Sequence, residues 1–281
     1  MPYSHYGNYA DVWKHIALCT TLANEKPAQY IETNAASADY ALSRSPGQAF
    51  GIYHFMDRAP EHKELLDSEY YHIQEKAFGQ GRYTGSPGLA MHILKAHGSR
   101  YTFFDIEETP LRHIDSYAEK LHIREKVQTM QQDSRTGIME LLPEPGEHSF
   151  IHIDPYFVDQ PNDKGWDYMD VFVACAQKNA QCFLWYGFHT LSEKDRINHF
   201  ITQKLKKAGI EGYTIIALIL KEIGRDHIRI NPGIPGNGLL TVNLSASSTQ
   251  AMMTYSELLT EIYRDASFEG RPGAIYREVT N

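Results

Sequence analysis

The feature that most constrains this chain is an alternation of short β-rich runs with longer segments of helical periodicity. That pattern specifies a mostly parallel sheet covered by helices. Strands are expected at Gln29–Thr33, Tyr101–Asp105, Lys126–Met130, Phe150–Asp154, Phe183–Tyr186, Tyr213–Lys221 and Leu239–Leu244. Helices are expected at Asp11–Ala23, Pro110–Leu121, Tyr168–Lys178, Glu193–Ala208 and Met252–Arg264. The last two strands are joined by a loop containing NPGIPGNG and no helix, so they are expected to pair antiparallel. From Asn34 to Arg100 strand signals nearly vanish, and Glu61–Ala77 and Pro87–Ala96 read as helices. This stretch is taken as a helical insertion (residues 34–100) in a Rossmann-like α/β domain built from residues 1–33 and 101–281.

Composition narrows the class. The 281 residues are 42% hydrophobic and 22% charged, as in folded proteins with a substantial core. Cys19, Cys175 and Cys182 form neither a disulfide framework nor a zinc module. The polar, aromatic N-terminus does not read as a signal peptide, and the greasy run Ile215–Leu220 is too short to span a bilayer. A cytoplasmic protein without membrane contact is therefore expected, with a monomer as the working assumption. The net charge of -8 excludes nucleic-acid binding over the whole surface but leaves room for a local basic groove.

Ligands of open parallel sheets bind beyond the carboxyl ends of the strands. Here the first strand runs into ETNAASA, the second ends at Asp105, the third runs out to Asp133 and the fourth ends at Asp154. Carboxylates in those places suit ribose hydroxyls and an adenine amine, although acidic residues in such loops also cap helices. IHIDPYF (Ile151–Phe157) places Asp-Pro after a buried strand and follows it with two aromatics. Asp154 and the Pro155 carbonyl suit an exocyclic amine whose hydrogens must be held, with Phe157 or Tyr156 stacking on the base. The other reading is a turn whose aromatics pack inward.

GNYADVWKH (Gly7–His15) resembles the GNxADVxKH signature of the RlmJ family, S-adenosylmethionine-dependent methyltransferases acting on an adenine of 23S ribosomal RNA. YIETNAASADY, YTGSPGLA, YTFFDIEET, IHIDPYF, FLWYGF and GLLTVN follow in order, so the resemblance spans Gly7–Leu244. It implies a seven-stranded class I methyltransferase fold with a helical insertion between the first two strands. The implied activity is N6-methylation of adenine in RNA, with S-adenosylmethionine as cofactor and ribosomal RNA as partner. Lys14, His15, Asn34, Ser86, Asp105, Asp133 and Ser134 then correspond to cofactor-contacting positions, and Asp154 to the catalytic aspartate. The family's first loop is close to THAGAG where this chain has TNAASA, and its DPPY is DPYF here. Alanines remove the backbone freedom that glycines give, and Tyr156 replaces a stiffening proline.

Other signals have two readings each. Tyr3, His5, Tyr6 and Tyr9 could form a stacking arm over a substrate base or tie down the terminus. Lys204, Lys206 and Lys207, with Arg225, His227 and Arg229, could meet phosphates or form a solvated face. His152 and Asp154 face one side of a strand, a spacing that would suit a metal-dependent hydrolase or nuclease; use of external DNA is a role attached by name to the family the chain resembles. No second pair of ligands accompanies them, so no metal is assigned. A further alternative is a relative that binds nucleic acid without methylating it.

Overall fold

The computed structural model describes residues 6–142, 148–224 and 234–280. Its main sheet is formed by β1 (Gln29–Glu32), β2 (Arg100–Asp105), β3 (Val127–Gln131), β4 (Ser149–Ile153), β5 (Gln181–Phe188), β6 (Thr214–Leu220), β7 (Gly236–Val242) and β8 (Ile275–Thr280). In space they run 3-2-1-4-5-7-6-8. Neighbours from β3 across to β5 are parallel, whereas β7 runs antiparallel to both β5 and β6. The chain therefore has a Rossmann-like α/β topology, its order reversing beside β1. The expected antiparallel pairing of Tyr213–Lys221 with Leu239–Leu244 is present as β6 and β7.

The sheet has eight strands where seven were expected. The added strand, β8, pairs antiparallel with β6 from Ile275↔Leu220 to Thr280↔Ile215. Its sequence, IYREVT, carries Arg277 and Glu278 at consecutive positions on opposite faces, charges of the kind that edge strands tolerate.

Helix α1 (Tyr9–Glu25) starts where the Asn8 side chain accepts from the Asp11 amide, and ends at Lys26 in the left-handed conformation. Tyr9, Val12, Trp13, Ile16 and Cys19 of this helix are all buried. It is gripped by α2 (Ser86–Leu94) and by the C-terminal helix Ala246–Ile262, where the Ser256 hydroxyl accepts from the Trp13 indole at 2.9 Å. Asp11, Lys14 and His15 remain on one face, held rigidly beside the strand ends.

Between β1 and β2 the chain is mostly helical, in short pieces. The segment expected as one helix, Glu61–Ala77, is broken into Lys63–Leu66 and Glu69–Phe78, because Ser68 turns out of the helix and caps the second piece. A small antiparallel ribbon, Asp39–Ala41 with Arg82–Thr84, closes this region at its base. Helix α2 then covers the sheet as the crossover into β2. Among the described residues no helix is long and apolar enough to cross a membrane.

Candidate active site at the strand ends

A cavity of about 670 Å³ opens over the carboxyl ends of β1, β2, β4 and β5. It is walled by α1 on one side and the Gly85–Ser86 turn on another. Its volume is in the usual range for a cofactor site. Of the residues singled out in the sequence, Tyr6, Lys14, His15, Asn34, Ser86, Asp105, Asp154, Pro155, Tyr156 and Phe157 all line it. Tyr3 and His5 lie outside the described residues, as do Arg225, His227 and Arg229.

The loop after β1 is the tightest part of the wall. Asn34 and Ala36 both take left-handed backbone angles, φ 49° and 52°. Asparagine tolerates that region, but alanine pays a steric cost of about 1–2 kcal/mol. Ala36 occupies one of the positions where the resembling family has glycine, so the glycine-type conformation survives the loss of the glycine. Three contacts enforce it. The Ala35 amide donates to the Phe104 carbonyl at 2.8 Å, the Ala36 amide to Asp105 Oδ2 at 3.0 Å, and the Gly85 amide to the Ala38 carbonyl at 2.9 Å. Backbone comes so close here that a Cβ on Gly85 would lie 2.5 Å from the Ser37 carbonyl, and one on Gly88 2.4 Å from that of Ala38. The Glu107 amide donates to Asp105 Oδ1 at 2.9 Å, so two amides orient this carboxylate at the cavity wall.

Asp154 follows β4 directly. Its amide donates to Thr33 Oγ1 at 3.0 Å, which ties it to the β1 loop. Lys14 Nζ reaches Asp154 Oδ2 at 2.7 Å and Asp11 Oδ1 at 3.1 Å, and lies 5.0 Å from the centre of the Trp185 ring. Burial alone would lower the Lys14 pKa, but the two carboxylates outweigh it and hold the ammonium above its ordinary range. Burial raises the Asp11 carboxyl, an effect that Lys14 only partly offsets. His15 is buried, with Nδ1 2.7 Å from the Tyr83 hydroxyl. Burial and then the Lys14 charge keep its imidazole well below the usual range, hence neutral.

The segment after Pro155 is different in kind. Tyr156 is 80% exposed and Phe157 46%, their rings edge to face at 4.5 Å. Neither aromatic packs into the core, so the inward-turn reading of DPYF does not hold. Tyr6 stacks on Tyr40 at 4.3 Å and donates to the Ala41 carbonyl, which fastens the described start of the chain to the insertion.

Asp133 and Ser134 do not line the cavity. Asp133 caps helix Ser134–Leu141 by accepting from the Arg135 and Thr136 amides, and pairs with the Arg135 guanidinium at 2.5 Å. The Ser134 hydroxyl lies 3.4 Å from that of Tyr168. His152 and Asp154 do not converge either: His152 is fully buried against Glu32 and Tyr30, while Asp154 faces Lys14. Lys204 bridges Asp167 and Asp170 and so has a structural occupation. Sequence reading missed Asp11, Thr33 and Trp185. Asp11 was detectable in principle, three residues before Lys14 on one helical face.

No protein-family model matches this chain, and no curated protein matches it. Among solved structures it is similar to protein LPL1258 of Legionella pneumophila strain Philadelphia 1, described under the family model DUF519. The TM-score is 0.76 at 23% identity, covering 99% of this chain and 98% of that one. That likeness shows a shared fold over the whole chain. More remote are the O-methyltransferase TomG of Streptomyces achromogenes, in complex with SAM, and a SAM-dependent methyltransferase of Agrobacterium tumefaciens. The first has TM-score 0.41, 12% identity and coverage of 82% and 78%; the second 0.39, 9%, and 82% and 59%. At those scores the likeness carries no argument about this chain.

Proposed function

We propose that the chain is an S-adenosylmethionine-dependent methyltransferase of the RlmJ type, acting on the exocyclic N6 amine of an adenine in 23S ribosomal RNA. One observation carries this reading. The strained Ala36 amide donates to the Asp105 carboxylate and the Asp154 amide to Thr33 of the same loop, so the ends of three strands are tied into one wall. A loop keeps a costly conformation only where its surroundings over-determine it, and such loops cluster at ligand sites.

The wall fits the cofactor chemically. Asp105 is a carboxylate held in place by two amides, which suits ribose hydroxyls. Asn34, Ser86, Lys14 and His15 complete the surround, and residues 34–100 serve as an insertion that supplies one side of it. When bound, S-adenosylmethionine supplies an electrophilic methyl group. The protein's part is positional. Asp154 and the Pro155 carbonyl accept the two hydrogens of the amine, which localises its lone pair. Phe157 and Tyr156 offer exposed faces on which an extruded base stacks. Lys14 holds and aims the Asp154 carboxylate. A neutral amine with its lone pair freed is already a nucleophile, so no strong base is needed.

The test is methyl transfer to unassembled 23S ribosomal RNA, followed by nucleoside mass spectrometry. The wild type is expected to form N6-methyladenosine and Asp154→Asn to form none while still binding cofactor. Absence of any methylated nucleoside with the wild type would overturn the reading.

A further inference from the structure

Strand β1 ends in a carboxylate that the proposed reaction does not use. Glu32 is fully buried, yet three donors converge on it. Ser86 Oγ donates to Oε1 at 2.5 Å and the Tyr30 hydroxyl to Oε2 at 2.9 Å. His152, its register partner on β4, brings Nδ1 to 3.2 Å from Oε1 and 3.0 Å from the Tyr30 hydroxyl.

Burying a carboxylate costs more than its hydrogen bonds usually return, and an apolar residue of similar volume would often stabilise as well or better. The arrangement therefore points to placement rather than stability. What it places is Ser86, which opens α2 and lines the cavity. A serine hydroxyl has a single hydrogen, and a carboxylate can only accept. With that hydrogen committed to Glu32, Ser86 Oγ presents only lone pairs to a ligand.

We propose that Glu32 is a positioning residue that fixes the polarity of Ser86, making this wall selective for a cationic hydrogen-bond donor. The inference rests on the cofactor reading above. There the ribose hydroxyls belong to Asp105, and the remaining cationic donor is the α-ammonium of the cofactor's amino-acid end. A Ser86 oxygen that offers only lone pairs favours that ammonium and disfavours the neighbouring carboxylate.

The experiment compares calorimetric affinities for S-adenosylhomocysteine and for its desamino analogue, in which hydrogen replaces the α-amino group. Wild type, Ser86→Ala and Glu32→Gln are titrated, with circular dichroism to verify folding. A charge-assisted hydrogen bond gives the wild type a preference of about tenfold or more for the amino compound. Both variants are expected to reduce that preference to about threefold or less, by losing affinity for S-adenosylhomocysteine while keeping it for the analogue. A purely structural role would weaken both ligands alike and leave the ratio unchanged. A ratio kept in either folded variant overturns the inference while wild-type binding still upholds the cofactor reading. Ser86→Ala leaves Glu32 with Tyr30 and His152, so it decides the matter if Glu32→Gln does not fold. Failure of the wild type to bind either compound overturns the cofactor reading and this inference together.

Discussion

Two loops leave neighbouring strand ends, and both depart from the sequence of the family they resemble, yet the departures have opposite structural consequences. After β1, TNAASA replaces glycines and the backbone still adopts the glycine conformation at Ala36, because Asp105, Phe104 and the Gly85 turn hold it there. After β4, the tyrosine that replaces proline projects into solvent at 80% exposure. The first side is braced and pays strain to keep its shape. The second is open and accommodates a new side chain that meets the neighbouring Phe157 ring edge to face. Constraint sits where the cofactor is proposed to lie, and latitude where the substrate base is.

The largest expected effect links the two sides. Asp154→Asn should reduce methyl transfer by about 100-fold or more, with S-adenosylhomocysteine affinity changed little; equal losses in both would merge the two functions. Next comes the brace itself. Gly88→Val puts atoms where a Cβ already meets the Ala38 carbonyl at 2.4 Å. It should lower unfolding free energy by about 2–3 kcal/mol in denaturant melts. Ala36→Gly should act in the opposite direction, stabilising by about 0.5 kcal/mol once glycine's greater unfolded-state freedom is set against relief of the left-handed strain. A destabilising Ala36→Gly would mean that the loop carries no strain. Tyr156→Ala should change stability by less than about 0.5 kcal/mol and raise KM for RNA without altering cofactor affinity.

Acidification offers a subtler contrast. Burial, then nearby cationic side chains, lowers His15 well below its ordinary 6.5 and His92 of α2 to about 4. The folded state thus binds fewer protons than the unfolded chain below pH 6.5. Stability should be unaffected by these groups above that value and fall progressively as pH drops beneath it. Midpoints of urea unfolding between pH 5 and 8 should show this slope, and His92→Gln should flatten it.

Much of this was legible in the sequence because long periodic segments declare themselves. The α1 helix, the crossover into Tyr101–Asp105 and the final antiparallel pair follow directly from pattern. What was not legible is equally physical. β8 is a charged edge strand, and its pairing with β6 across more than fifty residues leaves no local signal. The ribbon strands at Asp39–Ala41 and Arg82–Thr84 are three residues each, too short to show alternation. Ser68 reads as helix interior until its hydroxyl is seen capping the next turn. Of the residues lining the cavity, Asp105, Asp154, Pro155, Tyr156 and Phe157 were identifiable by type and strand end, whereas Lys14, His15, Asn34 and Ser86 came only from the resemblance. Asp133 was not separable by type from a cofactor-facing carboxylate, because a helix cap and a ligand use the same carboxylate in the same kind of loop. Glu32 was hidden for the opposite reason: a carboxylate inside a strand gives no hint that it serves a serine fifty-four residues away.

The claim that the braced wall is the cofactor side is tested most directly by titrating S-adenosylhomocysteine into wild type, Asp105→Ala and Tyr156→Ala. Saturable binding by the wild type is predicted, weakened by about tenfold or more in Asp105→Ala and unchanged in Tyr156→Ala. No binding by the wild type, or undiminished binding by Asp105→Ala, would contradict it.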